Sequence, residues 1–75
     1  MLRFTLPRAQ WTQLDIFDLM GRKVRTLSRG QSEAGEHLAS WDGRNEAGRV
    51  VATGTYVVRL KTIDGTRSRR LAWLR

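Results

Sequence analysis

The sequence predicts an all-β fold, an antiparallel β-sandwich of about seven short strands in one domain spanning residues 1–75. Three observations support this prediction. Polar and apolar residues alternate along most of the chain, whereas helical periodicity is hard to find. Turn signals rich in glycine and aspartate recur about every 8–12 residues. A length of 75 residues allows only one thin core and leaves little room for an enclosed active site.

Seven short runs of residues have the composition and alternation of strands. Within the second run, Leu14 and Ile16 point to the opposite face from Asp15. A helix over residues 33–39 is an alternative to the fourth strand, although a glycine interrupts it. The predicted strands are residues 2–6, 11–18, 23–27, 36–41, 49–52, 55–62 and 68–74, and residues 28–35 are predicted to form a polar loop.

The apolar positions in these runs predict a core between two packed sheets. Tyr56 begins the most strand-like run, where sandwich folds place a tyrosine whose hydroxyl bonds to a nearby loop. Strands of this number and spacing are typical of an immunoglobulin or fibronectin type III sandwich. The predicted core residues are Leu14, Ile16, Val24, Trp41, Tyr56, Val58 and Leu60. The predicted turn residues are Gly21, Asp42, Gly43, Gly48, Gly54, Asp64 and Gly65.

The charge balance is strongly basic. Fourteen basic residues, twelve of them arginine, oppose seven acidic ones and give a formal net charge of +7. This surplus fits either a polyanionic partner or a genome whose base composition favours arginine codons. Single-strand nucleic-acid binders combine basic grooves with stacking aromatic rings, so a basic cluster with nearby tryptophans is a candidate interaction patch. The residues of this patch are Arg67, Arg69, Arg70, Trp73 and Trp11.

The residue types that most active sites require are scarce. The chain has no cysteine, which excludes disulfides, thiolate zinc sites and cysteine nucleophiles. His37 is the single histidine, and on a strand it points to the opposite face from Ser40, so a Ser-His-Asp arrangement is not expected. The turn over residues 42–46 does not fit a calcium loop, because Arg44 occupies a ligand-like position. We therefore expect no catalytic residues, no cofactor, no metal site and no enzyme activity.

Several ordered blocks of residues resemble one bacterial family. Residues 14–27, L-D-I-F-D-L-M-G-R-K-V-R-T-L, are similar to its signature L-x-I-Y-D-x-x-G-R-x-V-x-x-L. Residues 34–43 resemble A-G-x-H-x-x-x-W-D-G, residues 48–56 resemble G-x-x-V-x-x-G-x-Y, and residues 4–7 match the first strand. The family comprises the FlgD-type immunoglobulin-like domain of the flagellar hook-capping protein and the related C-terminal sorting domains of type IX secretion substrates. The arginine-rich last strand and Phe17, where the family often has tyrosine, depart from the pattern.

The resemblance implies a non-catalytic C-terminal module of a larger bacterial protein. Its expected function is export or sorting, surface attachment or assembly, with the upstream domains of the parent chain, secretion machinery or other protein subunits as partners. A basic nucleic-acid or polyanion-binding β-domain is one alternative, and a flagellar hook-capping scaffold domain is another. The expected location is extracellular or at the cell surface of a bacterium after export, and a cytoplasmic location is the alternative. No apolar run approaches the roughly 20 residues of a membrane-spanning helix.

Overall fold

Six β-strands make up the computed structural model, which describes residues 2–74. They form two antiparallel sheets, and no helix occurs in the described part of the chain, so the predicted all-β class is confirmed. The strands are β1 (Leu2–Leu6), β2 (Gln10–Phe17), β3 (Lys23–Ser32), β4 (Gly35–Ala39), β5 (Gly54–Thr62) and β6 (Gly65–Trp73). The larger sheet has the order β3-β2-β5-β6, and the smaller sheet pairs β1 with β4.

Alternation along β2 creates the contact between the two sheets. β2 pairs with β3 on one side and with β5 on the other. Leu14 and Ile16 point to the inner face, which we define as the face covered by the two-stranded sheet, and Leu2 and Phe4 of β1 pack against their cluster. Burial of a side chain such as Ile16, which is 0% exposed, contributes roughly 1.5–3 kcal/mol.

The buried core lies at the centre of β2 and β5. Four of the seven residues predicted for the core form one buried cluster, and the other three are only partly buried and pack against it. A thin sandwich of this length cannot fully cover the margins of its own core. Leu6 is also buried, at 3% exposed, although it was not predicted as a core residue. The buried cluster is Leu14, Ile16, Tyr56 and Val58, and the partly buried residues are Val24, Trp41 and Leu60.

The third strand is longer than its predicted range. Residues 28–35 were predicted as a loop, but β3 continues to Ser32. The extension continues the ladder with the beginning of β2, where Gln10 pairs with Ser32 and the Thr12 and Ser32 hydroxyl oxygens lie 2.9 Å apart. Most of this part of β3 is exposed, so it lacks the apolar alternation that reveals a strand in sequence.

Two bulges interrupt the pairing of β3 with β2. The register skips Leu27 and then Val24, so that two β3 residues face one β2 residue at each place. Both skipped side chains pack against the core cluster. Such bulges bend a strand and increase its twist. The two bulges therefore coincide with the places where β3 contributes side chains to the core.

The predicted strand over residues 49–52 is absent. One isolated bridge joins Arg44 to Val50, and the Asn45 backbone N–H donates to the Arg49 carbonyl over 2.9 Å. The segment therefore closes on itself as a tight loop, which leaves it no length for a ladder with a sheet.

The hairpin between β5 and β6 is tighter than predicted. β6 begins at Gly65 rather than at residue 68, so the turn itself consists of Ile63 and Asp64. Gly54 was predicted as a turn residue, but it is the first residue of β5 and pairs with Trp73. The β5–β6 register runs without a shift over nine residue pairs. A long, regular hairpin therefore forms one side of the sheet.

Candidate interaction surface

The two tryptophans of the candidate patch lie at opposite ends of the larger sheet. Trp73 pairs with Gly54 at the beginning of β5, whereas Trp11 precedes Thr12, which pairs with Thr62 at the end of β5. Eight residues of antiparallel strand separate these two levels by about 27 Å. Trp73 also points to the inner face and Trp11 to the outer one, since paired residues share a face. The prediction that they join one patch was wrong.

The three arginines of β6 divide between the two faces of the sheet. Arg67 and Arg69 pair with the inward residues Leu60 and Val58, and Arg70 pairs with the outward Val57. All three residues are exposed, and no ion pair or hydrogen bond joins their side chains to another residue within 2–74. The arginine cluster therefore surrounds an edge of the sheet instead of covering one face.

An aromatic cluster closes the end of the sandwich next to the β2–β3 turn. The Trp41 ring contacts Tyr56 edge-on at 5.2 Å between centroids and lies 5.3 Å from Trp73. Trp41 Nε1 donates to the Arg44 carbonyl over 3.0 Å, and the Tyr56 hydroxyl donates to the Ala52 carbonyl over 2.6 Å. These bonds fix the two rings to the loop that joins β4 to β5. The tyrosine therefore makes the loop contact that sandwich folds commonly use.

Gly43 allows the Trp73 ring to lie directly on the loop backbone. Its φ is +75°, and a Cβ atom there would overlap Cζ2 of the Trp73 ring. The Asp42 carboxylate before it accepts the Arg44 backbone N–H over 3.1 Å and lies 3.7 Å from the Arg25 guanidinium. Both residues of the predicted Asp-Gly turn thus have structural roles.

The same loop covers the outer edge of β3. The Glu46 backbone N–H donates to the Val24 carbonyl over 3.1 Å, and the Glu46 carboxylate accepts the Thr26 backbone N–H over 2.6 Å. These are edge groups of β3, which has only β2 as a strand neighbour. Nothing in the sequence around Glu46 indicated this contact, because it joins residues 20 positions apart.

The turn between β2 and β3 is organised by one carboxylate. Asp18 accepts the backbone N–H groups of Met20 and Arg22 and the Arg22 Nε–H, each over 2.9 Å. The bond from the Arg22 backbone is the largest cause that lowers the pKa of Asp18 below its ordinary value, and partial burial opposes it. The Gly21 backbone N–H also donates to the Asp18 carbonyl over 3.1 Å, so the network includes the Asp18, Gly21 and Arg22 positions of the quoted signature.

The outer face of the larger sheet carries a buried acid and a stacked cation. Asp15 is only 1% exposed there, and it accepts the Thr26 hydroxyl over 2.6 Å and the Gln13 amide over 2.9 Å. Its β5 partner Arg59 lies over the Phe17 ring, 4.2 Å from the ring centroid. Such a contact stabilises by roughly 0.5–1 kcal/mol or more. The aromatic ring at Phe17 therefore has a partner that needs no hydroxyl group.

The histidine at position 37 is held in contacts within the chain. His37 stacks on Phe4 at 5.1 Å, and its Nε2 lies 2.7 Å from the Glu33 carbonyl. Within residues 2–74 no group of three or more His, Cys, Asp or Glu side chains could hold a metal ion. No helix of the described chain has the length and apolar character needed to cross a membrane.

Fold and surface together define a small immunoglobulin-like β-sandwich with one covered and one open sheet edge. Residues 2–66 match the model of the FlgD Ig-like domain family. The chain therefore belongs to this family. It is 40% identical over 50 residues to the basal-body rod modification proteins FlgD of Salmonella typhimurium and Salmonella typhi, a match covering 67% of this chain and 22% of theirs. It also resembles the crystal structure of FlgD from P. aeruginosa, with a TM-score of 0.69 and 29% identity over 93% of this chain and 55% of that one.

These relatives correct part of the prediction from resemblance. The FlgD-type domain is confirmed, whereas the type IX sorting domain is not supported. The predicted extracellular or cell-surface location was wrong, because the curated relatives are flagellar basal-body rod modification proteins rather than cell-surface sorted proteins. The matched region spans about a fifth of the length of those relatives.

Proposed function

We propose that this domain is a non-catalytic assembly module within a larger flagellar rod or hook modification protein. The observation that carries the proposal is the family match over residues 2–66. The flagellar names of both curated relatives favour the hook-capping scaffold alternative over the export and sorting function. The partners are then other protein subunits and the remaining domains of the parent chain.

The described geometry supports this function. The Asp18 turn and the loop anchored by Trp41, Gly43 and Tyr56 hold one end of the sandwich in a fixed shape. Rigid surfaces lose little conformational entropy on binding, so a small module of this kind can position larger neighbours. Recognition through a sheet edge or face needs no cofactor.

Deletion of residues 2–74 from the full-length protein in its own bacterium tests the proposal. We expect loss of completed hooks in electron micrographs and loss of swimming in soft agar. A strain with Gly43→Val should show the same loss of hooks and swimming as the deletion, because the larger side chain breaks the Trp73 contact. A strain with Gly48→Ala should swim normally, because the added methyl group enters open space. Normal hooks after the deletion would contradict the proposal.

The nucleic-acid alternative receives less support from the placement of the basic residues. Arg70 faces away from Arg67 and Arg69, and Trp11 is about 27 Å along the sheet from Trp73, so no single groove combines them. Anisotropy titration against single- and double-stranded DNA at low salt measures it directly. Tight, salt-sensitive binding that disappears in an Arg67→Glu/Arg69→Glu variant would restore this alternative.

A further inference from the structure

The free edge of β6 is long, regular and uncovered. Thr62 and Gly65 close a two-residue turn, so this pair exchanges both backbone hydrogen bonds. The β5–β6 register is unbroken, so hydrogen-bonded and non-hydrogen-bonded pairs alternate along β6 from Gly65 onward. Thr66 and every second residue after it therefore belong to non-hydrogen-bonded pairs. The backbone N–H and C=O groups of these residues point away from β5, to the open side. They are Thr66, Ser68, Arg70 and Ala72.

Nothing in the described chain occupies this side. β6 is the last strand in the order of the larger sheet, and no backbone hydrogen bond from a loop reaches it within residues 2–74. Residues 65–70 are all exposed. The edge therefore offers a row of unpaired donors and acceptors of the kind that an added strand can use.

The charge along this edge is uncompensated. Arg67 and Arg69 line its inner side and Arg70 its outer side, and residues 65–73 contain no acidic residue. Six of the seven acidic side chains already have partners elsewhere in the described chain. Those six are Asp15, Asp18, Glu36, Asp42, Glu46 and Asp64. An acidic strand at this edge would therefore lie beside three unpaired arginines, two on the inner face and one on the outer face.

A second copy of this chain does not fit the edge. Pairing β6 with β6 would bring arginines of one copy beside arginines of the other, and like charges on adjacent strands are destabilising. The edge also lacks the proline, bulge or covering loop with which sheets usually prevent pairing. Charge thus excludes a copy of the same strand and attracts an acidic one.

We propose that the open edge of β6 binds an extended, acidic segment of a partner protein, which adds to the larger sheet as a fifth strand. Main-chain hydrogen bonds to Ser68 and Arg70 provide affinity, and acidic side chains beside Arg67 and Arg69 provide specificity. This inference deepens the proposed assembly function by naming the surface and the kind of partner. It rests on the proposed function in one respect, namely that the module binds another protein. The match to the family model ends at residue 66, so all three arginines lie outside the segment that the family model covers.

A synthetic nine-residue peptide in which glutamate alternates with valine is the probe for this edge. Fluorescence anisotropy should show at least about tenfold tighter binding than for the same peptide with lysine in place of glutamate. The affinity should fall between roughly 0.05 and 0.5 M salt without vanishing, because main-chain bonds remain. Hydrogen exchange should slow at the Thr66, Ser68 and Arg70 amides when the peptide is bound. Equal affinity for both peptides, or no binding of either, would overturn the proposal.

A proline scan of the edge separates strand addition from simple charge attraction. Ser68→Pro removes an outward N–H that β5 does not use, so the fold should persist while peptide affinity falls at least about tenfold. Ser68→Ala keeps the N–H and should bind like the original chain. Arg70→Pro is a second variant of the same type should Ser68→Pro fail to fold. Folded proline variants with unchanged affinity would show that charge alone binds the peptide, which contradicts the proposal.

Charge reversal and self-association complete the test. Arg67→Glu/Arg69→Glu should lose the glutamate peptide and gain the lysine peptide. Sedimentation should show a monomer, and a dimer abolished by Ser68→Pro would identify a second copy as the occupant and overturn the acidic partner. Normal hooks in a Ser68→Pro strain would refute the proposal that the β6 edge binds the partner, but would not contradict the assembly function. Peptide binding by a domain whose deletion leaves hooks intact would refute only the assembly function.

Discussion

The two edges of the larger sheet face the same physical problem in different ways. β3 carries two bulges, and Glu46 bonds to its exposed backbone at Val24 and Thr26. β6 has an unbroken register with β5, three exposed arginines and, within residues 2–74, no bonded strand or loop on the side away from β5. Edge strands invite pairing with other chains unless they are bent, covered or charged. Bulges and a bonded loop block pairing at the β3 edge, whereas only the charge of the arginines opposes pairing at the β6 edge. Charge opposes some partner strands and attracts others, so the β6 edge is selective for its partner.

The largest expected effect concerns the loop that covers the β3 edge. Gly43→Ala should lower the free energy of unfolding by about 3 kcal/mol, because it combines a positive φ with an overlap on the Trp73 ring. Gly48→Ala is the matched control, since its φ of +82° is similar but its methyl group meets nothing within 4 Å. We expect it to cost roughly 1 kcal/mol. Equal losses in urea unfolding would show that the Trp73 contact contributes nothing to stability.

A second effect tests the alternation of bonded and free groups on β6. Arg69→Pro removes an N–H that bonds to Val58 on β5, so it should destabilise the domain by about 2 kcal/mol or more. Ser68→Pro removes an outward N–H and should cost less than about 1 kcal/mol. Thermal unfolding followed by circular dichroism measures both variants. A reversed order of the two losses would mean that the other side of β6 is the open one.

A third effect opens the covered edge. Glu46→Ala frees the Thr26 N–H and should reduce stability by about 1 kcal/mol. Glu46→Gln keeps an acceptor oxygen and should lose less than half as much. Hydrogen exchange at Thr26 should accelerate in the alanine variant, which should also associate more readily at high concentration. An unchanged rate of hydrogen exchange at Thr26 would show that Glu46 does not protect the edge of β3.

The smallest expected effect is a change in pH dependence at the β2–β3 turn. The pKa of Asp18 is lower in the folded chain than its ordinary value, so its contribution is complete above the unfolded pKa of roughly 3.9 and is lost as the pH falls through the folded pKa. Asp18→Asn should flatten the decline of stability in that acidic range. Urea unfolding at a series of acidic pH values provides the comparison. An unaltered slope would assign the acid sensitivity to other carboxylates.

The same contrast explains what could be predicted from sequence. β2 and β5 follow from alternation because one face of each is buried, and Tyr56 and the Asp42–Gly43 turn follow from local chemistry. The second half of β3 has no buried face to mark it. The separation of Trp11 from Trp73 depends on strand order, and the Glu46 contact joins distant segments. The division of Arg67 and Arg69 from Arg70 was within reach, because it follows directly from their spacing on one strand.

The contact between Trp41 and Trp73 gives the domain an internal optical reporter. Two indole rings with centroids 5.3 Å apart and planes tilted by 48° should couple electronically, and we expect a paired positive and negative band in circular dichroism. Trp73 is the last residue of β6, so the coupled signal exists only while the end of β6 lies on the loop at Gly43. With Trp11→Phe removing the one tryptophan that lies at the far end, spectroscopy can follow docking of this strand in solution without an added label.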